Sequence, residues 1–135
     1  MSENLTFAII KPDAFKLEHS GSIIKMIEKA GFKLLKMKLV SLTKEKASEF
    51  YKTHKEKPFY DRLCDYMSSG PIIVMKLSKN NAIEDFRKLI GSTNPQDAAK
   101  GTIRNLFATS IEANAIHGSD SNENAVIESD FFFNN

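Results

Sequence analysis

The sequence predicts an α+β sandwich, with one four-stranded sheet and helices packed against it. Three observations carry that expectation. Two short runs, the β-branched and aromatic Leu5 to Ile10 and the β-branched Pro71 to Leu77, read as strands. Strand-like and helical patterns follow one another as strand, helix, strand, helical pair, strand, helix, loop, strand, helix. The length of 135 residues suffices for one core and leaves none for a second, so residues 1–135 read as a single domain.

The first strand ends at Lys11-Pro12-Asp13, which leaves Lys11 at a strand terminus. Ser20 or Ser22 is placed to cap a helix whose Ile23, Ile24, Ile27 and Ala30 share one face, and Gly31 stands where helices commonly stop. Lys33 to Leu42 alternates imperfectly between lysines and apolar residues, as an edge strand does when charge discourages stray pairing. Thr43 caps a second helix with Ala47, Phe50, Tyr51 and His54 on one stripe. After Pro58 a third helix carries Phe59, Leu63, Tyr66 and Met67, so the two form a helical hairpin.

Beyond the strand at Pro71 to Leu77, Asn80 or Asn81 caps a helix bearing Ile83, Phe86, Leu89 and Ile90, closed by Gly91. Gly91 to Lys100 turns to Ser, Thr, Asn, Pro and Gln, a long loop of the kind that carries function. A short helix from about Thr102 to Ala108 leads into the last strand at Asn114 to His117. Asp120 or Ser121 then opens a final helix through Ala125, Val126 and Glu128, with Phe131 to Phe133 at its end.

An apolar fraction of 41% and a charged fraction of 27% describe a folded soluble chain, and a net charge of +2 is too mild to imply nucleic acid or membrane as a partner. The lone Cys64 excludes an internal disulfide framework, and no Cys/His cluster has zinc spacing, which suits a cytoplasmic location. No signal peptide is expected, because the first apolar run is strand-length and meets Pro12 and Asp13 at once. No stretch approaches the ~20 apolar residues that span a bilayer.

The densest chemistry lies in Asn114 to Asp120, where His117 is set between a buried strand and the turn expected at Gly118-Ser119. Neutral imidazole is nucleophilic near neutrality, so a covalent phosphohistidine is accessible there; a packed structural histidine is the bland alternative. One ring nitrogen would attack while an acceptor holds the other. Glu128 reaches that position only if the last helix doubles back along the strand. Glycine-rich phosphate loops are absent from the sequence, so any phosphate must be held by side chains. Lys11, Arg87 and Arg104 are the candidate cations, Arg87 because its spacing from Ile83 sets it on an apolar seam. Thr93 is a possible phosphate donor and Asn114 a possible partner for a sugar hydroxyl. Tyr51, His54 and Phe59 read either as packing or as nucleotide contacts. Asp13 is a candidate for orienting local backbone.

Thr6 to Ala14, Phe50-Tyr51 through Phe59, Gly91 to Pro95, Gly101 to Arg104 and Asn114 to Ser121 resemble, in order and spacing, the nucleoside diphosphate kinase family. The resemblance spans essentially the whole chain. It implies a ferredoxin-like sandwich with a four-stranded antiparallel sheet and an inserted helical hairpin. It also implies ping-pong transfer of a terminal phosphate from a nucleoside triphosphate to a nucleoside diphosphate, with His117 phosphorylated at Nδ1. By the same resemblance Glu128 and Ser119 orient the imidazole, Lys11 and Asn114 hold ribose hydroxyls, and Arg87, Thr93 and Arg104 clamp phosphates. Tyr51 and His54 would contact phosphates or the histidine, and Phe59 would stack on the base, indifferent to its identity.

Magnesium is expected to arrive on the nucleotide phosphates with few or no protein ligands. A homo-oligomer, tetramer or hexamer built from dimers, is expected, with Lys33 to Leu42 as a pairing edge and the Pro95 loop as a further contact. Lys57 stands where the family often has arginine, Ser129 and Asp130 make the last helix more polar than usual, and the longer relatives' C-terminal extension is not found after Asn135. Two rival classes share fewer of these residues. A nucleic-acid module would need exposed aromatics on adjacent strands. A phosphohistidine carrier or histidine phosphatase would share His117 but has no use for Lys11, Phe59 and Asn114 together.

Overall fold

Strand β1 (Leu5–Ile10) lies inside the sheet, and its side chains alternate between two cores: Phe7 and Ile9 enter one, Ala8 and Ile10 the other. Both faces are covered, which is why the run is apolar apart from Thr6, itself fully buried. It pairs antiparallel with β3 (Ile72–Ser78), from Leu5 opposite Ser78 to Ile10 opposite Ile73. On its other side lies β4 (Ile116–Gly118), with Ile9 opposite His117. β2 (Lys33–Val40) pairs antiparallel with β3 as the edge strand, giving the order β2-β3-β1-β4, the ferredoxin-like arrangement. The computed structural model from which these features are taken describes residues 4–133.

Two short helices flank the strand ends: α1 (Pro12–Lys16) follows β1 directly, and α6 (Ile103–Phe107) precedes β4. One face of the sheet is covered by α2 (Ser20–Lys29) and α5 (Ala82–Ile90), through Ile23, Ile27, Ala82, Phe86 and Ile90. The other carries the hairpin of α3 (Lys44–Phe50) and α4 (Tyr60–Met67), together with α7 (Asn122–Phe133). Phe7 stacks on Phe132 at 5.5 Å between centroids, which binds α7 to the central strand. No helix among the described residues is long and apolar enough to cross a membrane.

Local chemistry explains most element ends and several departures from expectation. Thr43 and Thr102 cap α3 and α6, their hydroxyls accepting from the N–H groups of Lys46 and Asn105. Pro12, expected to end a structure, instead starts α1, because a first helical position needs no N–H and prefers the φ that proline already has. His19, not a serine, precedes α2; Ser20 lies within it, and Ala30 is exposed because the helix stops at Lys29. The expected stripe from Ala47 to His54 breaks at Phe50, and Lys52–His54 form a separate 3-10 turn. Asn81 precedes α5 in the left-handed region at φ 58° and makes no side-chain cap. Gly91 closes α5 at φ 90°, as expected. Ser121, whose Oγ accepts from the Asn124 N–H, opens α7, and Phe131 to Phe133 lie within that helix.

Gly118 is not a turn residue. It sits in β4 over α5, where a Cβ would come within 2.8 Å of Phe86 and 3.2 Å of Ile90. The glycine supplies space, and that close approach sets His117 beside β1. Gly118→Ala is expected to lower stability by about 1–3 kcal/mol through overpacking. The urea midpoint measures it; an unchanged midpoint would show that the α5 contact yields without strain.

Candidate active site

A cleft of about 790 Å³ opens where β1 ends and β4 begins. That volume accommodates a nucleotide-sized ligand. Its wall contains Lys11, Tyr51, His54, Phe59, Thr93, Arg104, Asn114 and His117, brought from five separate segments. Arg62, Leu63, Tyr66, Ser110, Ile111 and Glu112 complete the lining and were not singled out as site residues in the sequence.

His117 projects from β4 with its base fixed by the ladder to Ile9. Phe7 and Phe50 meet the ring edge-on, at centroid distances of 6.3 and 6.0 Å. Nε2 lies 2.9 Å from Glu128 Oε1, so α7 does double back along the strand. Ser119 Oγ donates to the same oxygen at 2.7 Å. A carboxylate only accepts, so the ring proton belongs on Nε2, and Nδ1 carries the free lone pair. Among the described residues no side chain bonds Nδ1. Ser119 thus reaches the imidazole through Glu128 rather than by touching it.

Lys11 lies between β1 and α1 and is nearly buried; its Nζ donates to Asn114 Oδ1 at 2.8 Å. Asn114 Nδ2 reaches the Thr93 carbonyl at 3.3 Å, tying the long loop to β4. Arg104 is likewise buried, with Nη1 on the Gly91 carbonyl at 2.9 Å and Nη2 on that of Ile116 at 2.7 Å. Its Nε is buried without a partner among the described residues. A guanidinium pinned by backbone on one side keeps its other donors available to an anion. Burial, with repulsion from Arg104, lowers the Lys11 pKa to about 8, while Asp13 opposes the shift. Burial, with repulsion from Arg87, lowers that of Arg104 to about 10. Cations held this close without an anion destabilise one another, and a phosphate would relieve all of them.

Arg87 differs from its expectation. It is exposed on α5, away from the apolar seam, and does not line the cleft; its charge still reaches Arg104. Helical spacing from Ile83 misled because Ala82, Phe86 and Ile90, which carry the packing, lie on the side of Ile83 away from Arg87. Thr93 is exposed at the cleft, its carbonyl engaged by Asn114. Tyr51 is buried, its hydroxyl unpartnered among the described residues and its pKa raised by burial and then by the Glu128 charge, so the phenol stays protonated. His54 lies between Tyr51 and Phe59, at centroid distances of 6.3 and 5.8 Å, and Phe59 is 38% exposed at the rim. Lys57 is exposed and outside the lining.

Some contributors left little trace in the sequence. Phe50 and Phe7 read as ordinary core, yet they hold the imidazole. Arg62 and Glu112 form an ion pair across the rim. Ile111, an exposed apolar residue in a polar loop, was the detectable signal there. Asp13, expected to orient backbone, accepts from the Ala115 N–H at 3.1 Å and from the Tyr66 hydroxyl. Among the described residues no group of three His, Cys, Asp or Glu is placed to hold a metal ion.

A ferredoxin-like sandwich whose basic cleft holds an oriented imidazole with one free nitrogen fits an enzyme of the phosphotransferase class. The family model for nucleoside diphosphate kinase matches residues 4–135. A nucleoside diphosphate kinase of Flavobacterium psychrophilum is 56% identical over 133 residues, covering 98% of this chain and 96% of the relative. One from Chlorobaculum tepidum is 55% identical over 128 residues, covering 95% and 91%. The crystal structure of the Aquifex aeolicus nucleoside diphosphate kinase superposes with a TM-score of 0.95 at 40% identity, covering 96% of this chain and 94% of that one. That of Encephalitozoon cuniculi gives 0.94 at 37% identity, covering 98% and 90%. The chain belongs to the nucleoside diphosphate kinase family.

The buried lysine has a consequence for stability. The unfolded side chain keeps its proton to about 10.5 and the folded one only to about 8, so stability rises with pH across that window and is lost as pH falls. In Lys11→Met that rise, worth about 3 kcal/mol, should vanish. Denaturant unfolding at intervals across the window measures it; equal slopes in the two proteins would refute the shifted lysine.

Proposed function

We propose that this enzyme transfers the terminal phosphate of a nucleoside triphosphate, typically ATP, to a nucleoside diphosphate through a phosphohistidine on His117. The observation that carries the reading is the hydrogen bond from Nε2 to Glu128, which orients the ring and leaves Nδ1 as its nucleophilic nitrogen. In the first half-reaction the Nδ1 lone pair bonds to the terminal phosphorus as the bridging P–O bond breaks. The electron pair leaves on the diphosphate. Nε2 keeps its proton, and Glu128, steadied by Ser119, offsets the positive charge that develops on the ring. A terminal oxygen of a second diphosphate then attacks the phosphohistidine, which reverses the sequence.

Such a transfer depends on positioning and charge stabilisation. Arg104 and Lys11 supply positive charge from fixed, buried sites, Arg87 adds a longer-range field, and the protonated Tyr51 hydroxyl and Thr93 are donors for phosphate oxygens. Asn114, with Lys11, is placed for ribose hydroxyls, and His54 adds a further polar contact. Phe59 offers a π-face, which every base possesses, so purines and pyrimidines serve alike; we propose that ribose and deoxyribose are both accepted, which requires that Lys11 and Asn114 engage a hydroxyl the two sugars share. The cleft offers cations and neutral donors, and its rim carboxylate Glu112 is paired with Arg62, so the residues fit a magnesium ion carried on the nucleotide's own oxygens. When bound it neutralises phosphate charge.

Incubation with terminally labelled ATP should leave acid-labile label on the protein, chased by diphosphates of any base. His117→Ala should take up no label while retaining nucleotide binding. Label in that variant, or label lost only to water, would overturn the reading and favour a carrier or phosphatase.

We also propose a cytoplasmic homo-oligomer, a tetramer or hexamer built from dimers, with the Pro95 loop as the further contact between them. Leu35, Met37 and Leu39 stand 42, 49 and 62% exposed on the edge strand β2, an apolar row beside unpaired backbone. Buried Cys64 suits a reducing compartment. Light scattering should return a multiple of the 15.2 kDa chain mass, reduced in Met37→Glu. A monomeric mass would exclude the assembly.

A further inference from the structure

Ala115 is a non-glycine residue at φ 74°, two positions before His117. The Ile116 N–H bonds back to the Asn114 carbonyl at 2.8 Å, closing a three-residue turn around it. Such turns are strained for a residue with a Cβ and persist only where neighbours impose them. Here two neighbours do so. The Ala115 carbonyl accepts from the Lys11 N–H at 2.9 Å, and its own N–H is held by Asp13 Oδ2 at 3.1 Å. The other Asp13 oxygen accepts from the Tyr66 hydroxyl, and the Tyr66 oxygen accepts from the Asp13 N–H at 3.0 Å. The carboxylate is thereby fixed from α4, whose Tyr66 also lines the cleft.

We propose that Asp13 is a positioning residue for phosphoryl transfer: with Tyr66 it holds the strained turn at Ala115, which presents Asn114 to Lys11 and starts β4 in the register that places His117. The turn is the joint between the two halves of the site. On its N-terminal side Asn114 meets Lys11 and the Thr93 loop; on its C-terminal side Ile116 accepts Arg104 and pairs with Ile10. Relaxing Ala115 toward an extended conformation would move these groups relative to one another without removing any of them. Asp13 does not touch the reacting atoms. Tyr66 lines the cleft, and burial followed by its bond to Asp13 raises its pKa, so it remains a donor to the carboxylate.

The inference rests on His117 as the nucleophile, and single-turnover labelling from ATP separates the two claims. Failure of the wild type to take label would sink the nucleophile; a labelled wild type matched in rate by Asp13→Ala would sink the positioning role alone. Asp13→Ala, folded by circular dichroism, should phosphorylate about a hundredfold more slowly at saturating nucleotide, a loss typical of misplacement near 1 Å. Adding Ala115→Gly, for which the turn carries no strain, should recover about tenfold of that loss. A purely structural aspartate predicts no such recovery, and its absence would overturn the proposal. If Asp13→Ala does not fold, Tyr66→Phe decides: it should slow labelling several-fold and respond to Ala115→Gly in the same direction, and an unchanged rate rejects the network.

Discussion

The hydrogen bond between His117 Nε2 and Glu128 is the contact on which the site's organisation turns. It sets the tautomer, because a carboxylate accepts and does not donate. It also ties α7 to β4, and α7 in turn is anchored on β1 through Phe132 and Phe7. The imidazole therefore inherits the rigidity of the central strand, with aromatic edges from Phe7 and Phe50 packed beside the ring. In the proposed reaction the nucleophile arrives already aligned, so reaction needs little rearrangement at that end of the transferred phosphate.

The opposing requirement is to hold cations near that ring with no anion present. The chain meets it by building Arg104 and Lys11 into backbone. Arg104 spends two of its donors on carbonyls of Gly91 and Ile116, and Lys11 spends its ammonium on Asn114. Both pay in desolvation and mutual repulsion, visible in their lowered pKa values. In the proposed reaction that strained electrostatics is a form of preorganisation: the field exists before substrate enters, and an anionic substrate would relieve it. The left-handed Ala115 belongs to the same pattern, since backbone strain too is concentrated beside the groups that must be placed accurately.

Much of this was legible in the chain. Strong strand runs at Leu5 to Ile10 and Pro71 to Leu77, the hydroxyl caps at Thr43 and Thr102, and the glycine stop at Gly91 each express local rules that tertiary structure did not override. The reading was weaker where a residue obeyed two rules at once. Pro12 both ends a strand and starts a helix, and only its position after Lys11 in space reveals the second role. Arg87 shares a helical row with Ile83, but rotation of α5 on the sheet leaves it in solvent. Gly118 read as a turn residue and is instead a space for Phe86.

By itself the sequence determined the alternation of elements and the residues able to do the chemistry, because periodicity, caps and functional groups are local properties. The five motifs in register also marked the family. Only the tertiary structure decided which nitrogen of His117 is free, that Ser119 works through Glu128, and that Asp13 reaches across to Tyr66 and the backbone of Ala115. Those are contacts between residues far apart in the chain, and their partners are chosen by strand register and helix docking. No spacing rule encodes them.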